Sequence, residues 1–376
     1  MTELLRPRFG SMNPNDDRHH AWSAPPPTDA FLRAPDADPS AGPSGHRSRR
    51  RGPRPVPPGV EYHRMLAGDK RRVLRGVLAI VLLLVGLFAI SYAFAEASAF
   101  VDGQMGRTNP AAGGTDYTPV YHASGMLGLA MLIPLSMLIQ RLLYGVRGAS
   151  QHSVLSRFRF GVLGRALLFI GPFWLIAVTV MNVWTPPVQK DWPLADLVAM
   201  FVLTLLLVPL QAAGEEYGLR GLAFQVAGSW SRGPRVGLVL AVVVSSLLFT
   251  TIHGAGDPWI NIWYFLLSLS LAVITWRTGG IEIPIVIHGL LNTLTFLICI
   301  VLQIDLGASV MDRSAGTGSP IMLVPAVTAV VIALVVFLRT RRTGPALTPG
   351  PLRTQPDTRS ARVQPDARPG WVPTVR

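Results

Sequence analysis

The stretch that decides how this chain folds is 194–227, LADLVAMFVLTLLLVPLQAAGEEYGLRGLAFQVA. It opens as a nearly unbroken apolar run and exceeds the roughly 20 residues that cross a bilayer's hydrocarbon core as a helix. Its last third sets two adjacent carboxylates, Glu215 and Glu216, and the guanidinium of Arg220 into that apolar setting. Lipid is the solvent that suits such a run, and an ionisable side chain inside it is costly enough to be read first as functional. The run is too long for one simple span. It is expected to tilt, to lie partly along the interface, or to bend at Pro209 and Gly214.

Working outward, further apolar runs lie at about 76–96, 123–140, 166–184, 236–253, 259–276, 281–303 and 320–338. Most have the length of one span. Of the 376 residues 49% are hydrophobic and 15% charged, with a mean hydropathy of +0.38; a soluble domain carries about 25% charged residues. The prediction is an all-α fold, a polytopic membrane helix bundle of about eight transmembrane helices over residues 75–339. Residues 1–74 and 340–376, rich in Pro, Arg, Ser, Asp and Gly, are expected to be disordered basic tails. The first apolar run begins only near Arg75, too late for a signal peptide. The single cysteine, Cys299, lies in an apolar run; it excludes a disulfide framework within the chain and a Cys-based metal site.

The net charge of +13 would suggest nucleic acid in a soluble protein. Here the arginines crowd the ends (Arg47, Arg49, Arg50, Arg51 and Arg54, then Arg339, Arg341 and Arg342) with no interleaved aromatics for base stacking. No nucleic-acid partner is expected; the partners are the lipid bilayer and its anionic headgroups. With the amino terminus inside, the outer loops hold Arg107, Lys190 and Arg313. The inner loops hold Arg147, Arg157, Arg159, Arg232, Arg235 and Arg277. This positive-inside bias predicts an integral protein of the plasma membrane with both termini cytoplasmic. Trp184, Trp192, Trp259 and Trp276 near run ends fit interfacial belts.

Ionisable groups within the spans cluster in the fourth, fifth and seventh runs. Glu216 and Arg220, four apart, share a helix face and can pair, which leaves Glu215 at a different angle and suited to general acid–base work. The fifth run ends in Phe249-Thr250-Thr251-Ile252-His253. The seventh contains His288-Gly289-Leu290-Leu291-Asn292, where the imidazole and the amide share a face and can donate hydrogen bonds to an oxyanion. Taken singly, each string also reads as helix–helix hydrogen bonding or a buried ion pair.

Together the three strings resemble the CPBP family (CAAX proteases and bacteriocin-processing enzymes, also called the Abi family). That family is marked by Glu-Glu-x-x-x-Arg, Phe-x-x-x-His and His-x-x-x-Asn on separate transmembrane helices. All three are intact and in order here, and the matching core spans about 194–303. The resemblance implies an intramembrane endopeptidase that hydrolyses a peptide bond of a membrane-associated protein or peptide. In it Glu215 activates water with help from His253, and His288 and Asn292 hold the carbonyl oxygen. Glu216, Arg220 and Phe249 support them. Glu215, His253 and His288 also compose a two-His, one-Glu set of the kind catalytic Zn2+ uses, although no His-Glu-x-x-His string is present; chemistry with and without the metal both stay open. The rival readings are a non-catalytic scaffold or bacteriocin-immunity-type protein on the same fold, and a transporter using the buried groups as a proton relay. No pairing between the two halves of the chain supports the transporter.

Depth can be counted from the inner loops. Glu215 lies 17 residues before Arg232 and His253 lies 18 after Arg235, roughly 25 Å in each case. His288 lies only 11 after Arg277, roughly 16 Å. Closing the difference calls for a tilt, a shorter sixth span, or an unwound start at Gly279, Gly280 and Pro284.

Overall fold

The computed structural model describes residues 52–68, 71–184, 189–306 and 318–350. Arg313 and most of the two expected tails, 1–51 and 351–376, lie outside the described residues.

Helix α1 is Val73–Gln104, and α2 (Pro119–Ala130) runs into α3 (Leu132–Tyr144). Next come α4 (Phe160–Phe169) and α5 (Gly171–Val183). Helix α6 (Leu194–Glu216) continues through a π-helical turn, Tyr217–Ala223, into α7 (Phe224–Gly228). Helices α8 (Pro234–Ile252), α9 (Pro258–Thr278), α10 (Glu282–Val301) and α11 (Leu323–Thr340) complete the bundle. Seven of the resulting rods are long and apolar enough to cross a membrane, or eight when α4 and α5, bent by 56° at their junction, count as one broken span. The all-helical bundle predicted from the runs is therefore present.

Local chemistry explains the punctuation. Thr118 and Asp257 cap α2 and α9 by accepting from the Tyr121 and Trp259 backbone N–H groups, and prolines follow both caps. Gly145 and Gly279 end α3 and α9 in the left-handed conformation, where a Cβ would be strained. The α4–α5 bend falls at Gly171-Pro172, because proline cannot donate into the preceding turn.

The loops sort to two ends. At one end the segments around 145–159, 229–233 and 279–281 meet the chain before α1 and after α11. Arg54 N donates to Gly145 O, Arg64 Nη1 to Ser231 O, Val154 N to Gly279 O, and Thr348 N to Val60 O. At the other end Lys190 N donates to Gln303 O, and Arg107 binds Asp116 and Asp196. Residues 52–68, placed in a tail by composition, pack here: Tyr62, His63 and Met65 are fully buried, and Trp276 Nε1 donates to Glu61 at 2.9 Å. Thr348, also from an expected tail, is buried beside them.

Helix α6 is the axle, with α2 packed along one side and α10 along the other. Gly214 lets α2 approach: a Cβ there would stand 2.1 Å from Leu129 O. The α9–α10 turn answers the depth question. Ile281 and Glu282 are fully buried, Arg159 grips the Glu282 carboxylate with Nε and Nη2 (2.8 and 2.7 Å), and Ile281 N donates to His152 O. A layer of loop thus covers the turn, so α10 starts inside the protein and delivers His288 to the level of Glu215 with Pro284 wholly helical.

Candidate active site

Glu215 and Glu216 end α6 where the helix passes into the π turn. One extra residue per turn changes the angle at which the following side chains leave the axis, and single π turns recur at functional sites. Gly218 and Gly221 keep that turn slim where Leu83 and Gln151 press on it.

Glu216 is fully buried, and its Oε1 accepts from Arg220 Nη1 at 3.0 Å and from His288 Nδ1 at 2.8 Å. Arg220, also fully buried, donates from Nη2 to Ser268 Oγ at 2.8 Å and lies over the Phe249 ring, 4.7 Å from its centroid. The pair predicted from the four-residue spacing therefore forms, and α9 and α8 lock it through Ser268 and Phe249. A buried ion pair repays its desolvation only with such extra partners.

Glu215 faces elsewhere. Its Oε1 accepts from Gln211 Nε2 at 2.5 Å, while its Oε2 is buried with no protein hydrogen bond and stands 3.7 Å from His288 Nε2. The carboxylate of Glu216 makes the Nδ1 of His288 a donor, so Nε2 is the nitrogen turned to Glu215. Glu216 Oε2 and Arg220 Nε are likewise buried without protein partners. Orphan polar atoms at such density mark a place where internal water is stabilised.

Asn292, one turn after His288 on α10, donates from Nδ2 to Gln211 Oε1 at 3.0 Å. His253, just past the end of α8, donates from Nδ1 to Phe249 O at 2.6 Å and stacks on Tyr264 with centroids 4.2 Å apart. That bond leaves Nε2 as its basic nitrogen. Phe249 joins it to the rest, with its ring 4.5 Å from His253 and 5.6 Å from His288. The fold thus gathers two hydrogen-bonded groups, Glu216–Arg220–His288 and Glu215–Gln211–Asn292, which meet where Glu215 Oε2 stands 3.7 Å from His288 Nε2, with Phe249 against them and His253 as the outlying member. Gln211 and Ser268 were not singled out from sequence. Gln211 had a signal: it is an amide four residues before Glu215 in an otherwise apolar run.

The residues do not fit the three-ligand zinc set. Glu215 Oε2 and His288 Nε2 face one another, but no group of three His, Cys, Asp or Glu side chains able to hold a metal ion occurs among the described residues.

The molecule is thus a polytopic helical membrane protein with a buried carboxylate–imidazole–amide site drawn from separate spans. Residues 195–294 match the family model described as type II CAAX prenyl endopeptidase Rce1-like, which agrees with the resemblance of this segment to the CPBP family of CAAX proteases. No curated protein and no solved structure gave a match.

Proposed function

We propose that the protein is an intramembrane endopeptidase that uses Glu215 as the base for a hydrolytic water and cleaves membrane-associated, CAAX-type proteins or peptides. One observation carries this reading: Glu215 Oε2, buried and free of protein hydrogen bonds, lies 3.7 Å from His288 Nε2. Two atoms so spaced can both lie about 2.8 Å from one oxygen, the place for a water that donates to the Glu215 carboxylate.

Glu215 Oε2 removes a proton from water as the hydroxide oxygen bonds to the peptide carbonyl carbon. His288 Nε2 is placed to donate to the forming oxyanion while Glu216 holds Nδ1. The proton on Glu215 then passes to the amine as the C–N bond breaks. Asn292 borders the oxyanion side, and the Nε2 of His253 is a further basic group at the rim. The Rce1-like domain supports the peptidase class and a substrate held at the bilayer. The arginine-rich end where residues 52–68 and 344–348 pack is proposed to face the cytoplasm of the plasma membrane by the positive-inside rule.

The test is Glu215→Gln in the full-length chain, reconstituted in liposomes and assayed on a panel of prenylated and unprenylated peptides with and without a chelator. The variant is expected to lose turnover by at least about 100-fold, the usual worth of a positioned base. Undiminished cleavage by this variant would overturn the assignment of the base. Wild-type activity lost to chelator and restored by zinc would overturn a metal-free site.

A further inference from the structure

Gln211 lies outside all three motifs, yet both ends of its amide are committed inside the site. It is 4% exposed, donates from Nε2 to Glu215 Oε1 and accepts at Oε1 from Asn292 Nδ2. The chemistry of the groups sets the direction of this chain. A carboxylate oxygen facing an amide selects its NH2 end, so Glu215 decides which way Gln211 points. The Gln211 oxygen then faces Asn292, which must turn its own NH2 toward it.

Two consequences bear on the reaction. With Oε1 occupied, Oε2 on the His288 side is the oxygen left to receive a proton from water. Oε1 remains an acceptor after that transfer, so the Gln211 bond persists while the charge on Glu215 changes. In addition, Asn292 on α10 is held in register with Glu215 on α6 through a single side chain. Without Gln211, the carboxylate can rotate to offer either oxygen and the Asn292 amide can flip.

Resting on the reading of Glu215 as the base, we propose that Gln211 is a positioning residue of the peptidase site, which selects the reactive oxygen of Glu215 and fixes the amide of Asn292. The measurement is kcat and KM of the full-length chain on the best-cleaved peptide of the panel, with thermal unfolding of each variant alongside. Gln211→Met removes both bonds while keeping an unbranched side chain. Gln211→Glu keeps the shape and can still accept from Asn292, but offers no N–H to an ionised Glu215. Both are expected to lower kcat about 10- to 100-fold, the worth of a hydrogen bond to a charged group, with KM within about twofold. Asn292→Ala is expected to cost less in the Gln211→Met background than in the wild type, since the two residues act in series.

A residue that only fills space would be replaced by the apolar, similarly shaped Gln211→Met without loss of kcat. Wild-type kcat in either folded variant, alongside an inactive Glu215→Gln, overturns the role of Gln211 and leaves the base standing. An active Glu215→Gln overturns the base itself. Should Gln211→Met fail to fold, Gln211→Leu, which also removes both hydrogen bonds and adds no charge, decides in its place.

Discussion

Arg220 and Glu216 show how much a single pair can hold. Both are fully buried, and the guanidinium serves Glu216, Ser268 and the Phe249 face at once. Arg220→Met strands a buried carboxylate, with an expected cost of about 3–5 kcal/mol. The double variant Glu216→Gln with Arg220→Met removes both charges and is expected to recover part of that loss. Thermal unfolding in detergent compares the two. A double variant less stable than Arg220→Met would show that the charge of Glu216 is not what Arg220 offsets. The pair was readable from its four-residue spacing. Its partners on α8 and α9 were not, because Ser268 is an unremarkable serine until a guanidinium from another helix reaches it.

At the scale of elements, α6 with its π turn works only because its neighbours come close. Gly214, beside the proposed base, lies against the backbone of α2, where a Cβ would stand 2.1 Å from Leu129 O. Gly214→Ala adds good helix propensity and is nevertheless expected to destabilise by about 1–3 kcal/mol, since backbone cannot yield as a side-chain tip can. Unfolding measurements give the sign; a stabilised variant would refute the close contact. The fourth run was legible as one long helix, and Pro209 and Gly214 as its irregular points. The π turn was not legible, because no residue type demands it. The α4–α5 span was read as starting near 166, whereas helix begins at Phe160: Arg165 broke the apolar run, and a helix does not stop at a charge that can reach the interface.

On the scale of the molecule, the two ends differ in charge and construction. At the far end Arg107 is held above the ordinary arginine value by Asp116 and then Asp196, and Asp116 is held below the ordinary carboxylate value by Arg107. At the opposite end, 52–68 and 344–348 fold under the loops, with His63 Nε2 donating to Pro234 O at 3.0 Å. Burial is the main cause that holds His63 below the ordinary histidine value of 6.5, with Arg64 adding to it and the Pro234 carbonyl and Glu61 opposing. The unfolded chain therefore takes up this proton first as pH falls. The stability associated with neutral His63 is complete above about pH 6.5 and is lost as pH drops toward the lower folded value. His152 is lowered by burial too, so the test is a difference. The fall in thermal midpoint between about pH 8 and about pH 5.5 is expected to be smaller in His63→Gln than in the wild type. An equal fall in both would remove His63 as a source of acid sensitivity.

Composition and apolar run length by themselves determined the class of fold, since a chain with so many lipid-length apolar segments has few other ways to satisfy its backbone. Spacing along single helices determined the Glu216–Arg220 pair and put His288 and Asn292 on one face. Tertiary structure decided what lies between helices. The recessed α9–α10 turn brings His288 level with Glu215, Gln211 joins α6 to α10, and His253 bonds the Phe249 carbonyl and stacks on Tyr264 at the edge of the cluster. These outcomes depend on how far each helix is slid and rotated against its neighbours, and a one-dimensional pattern specifies neither quantity.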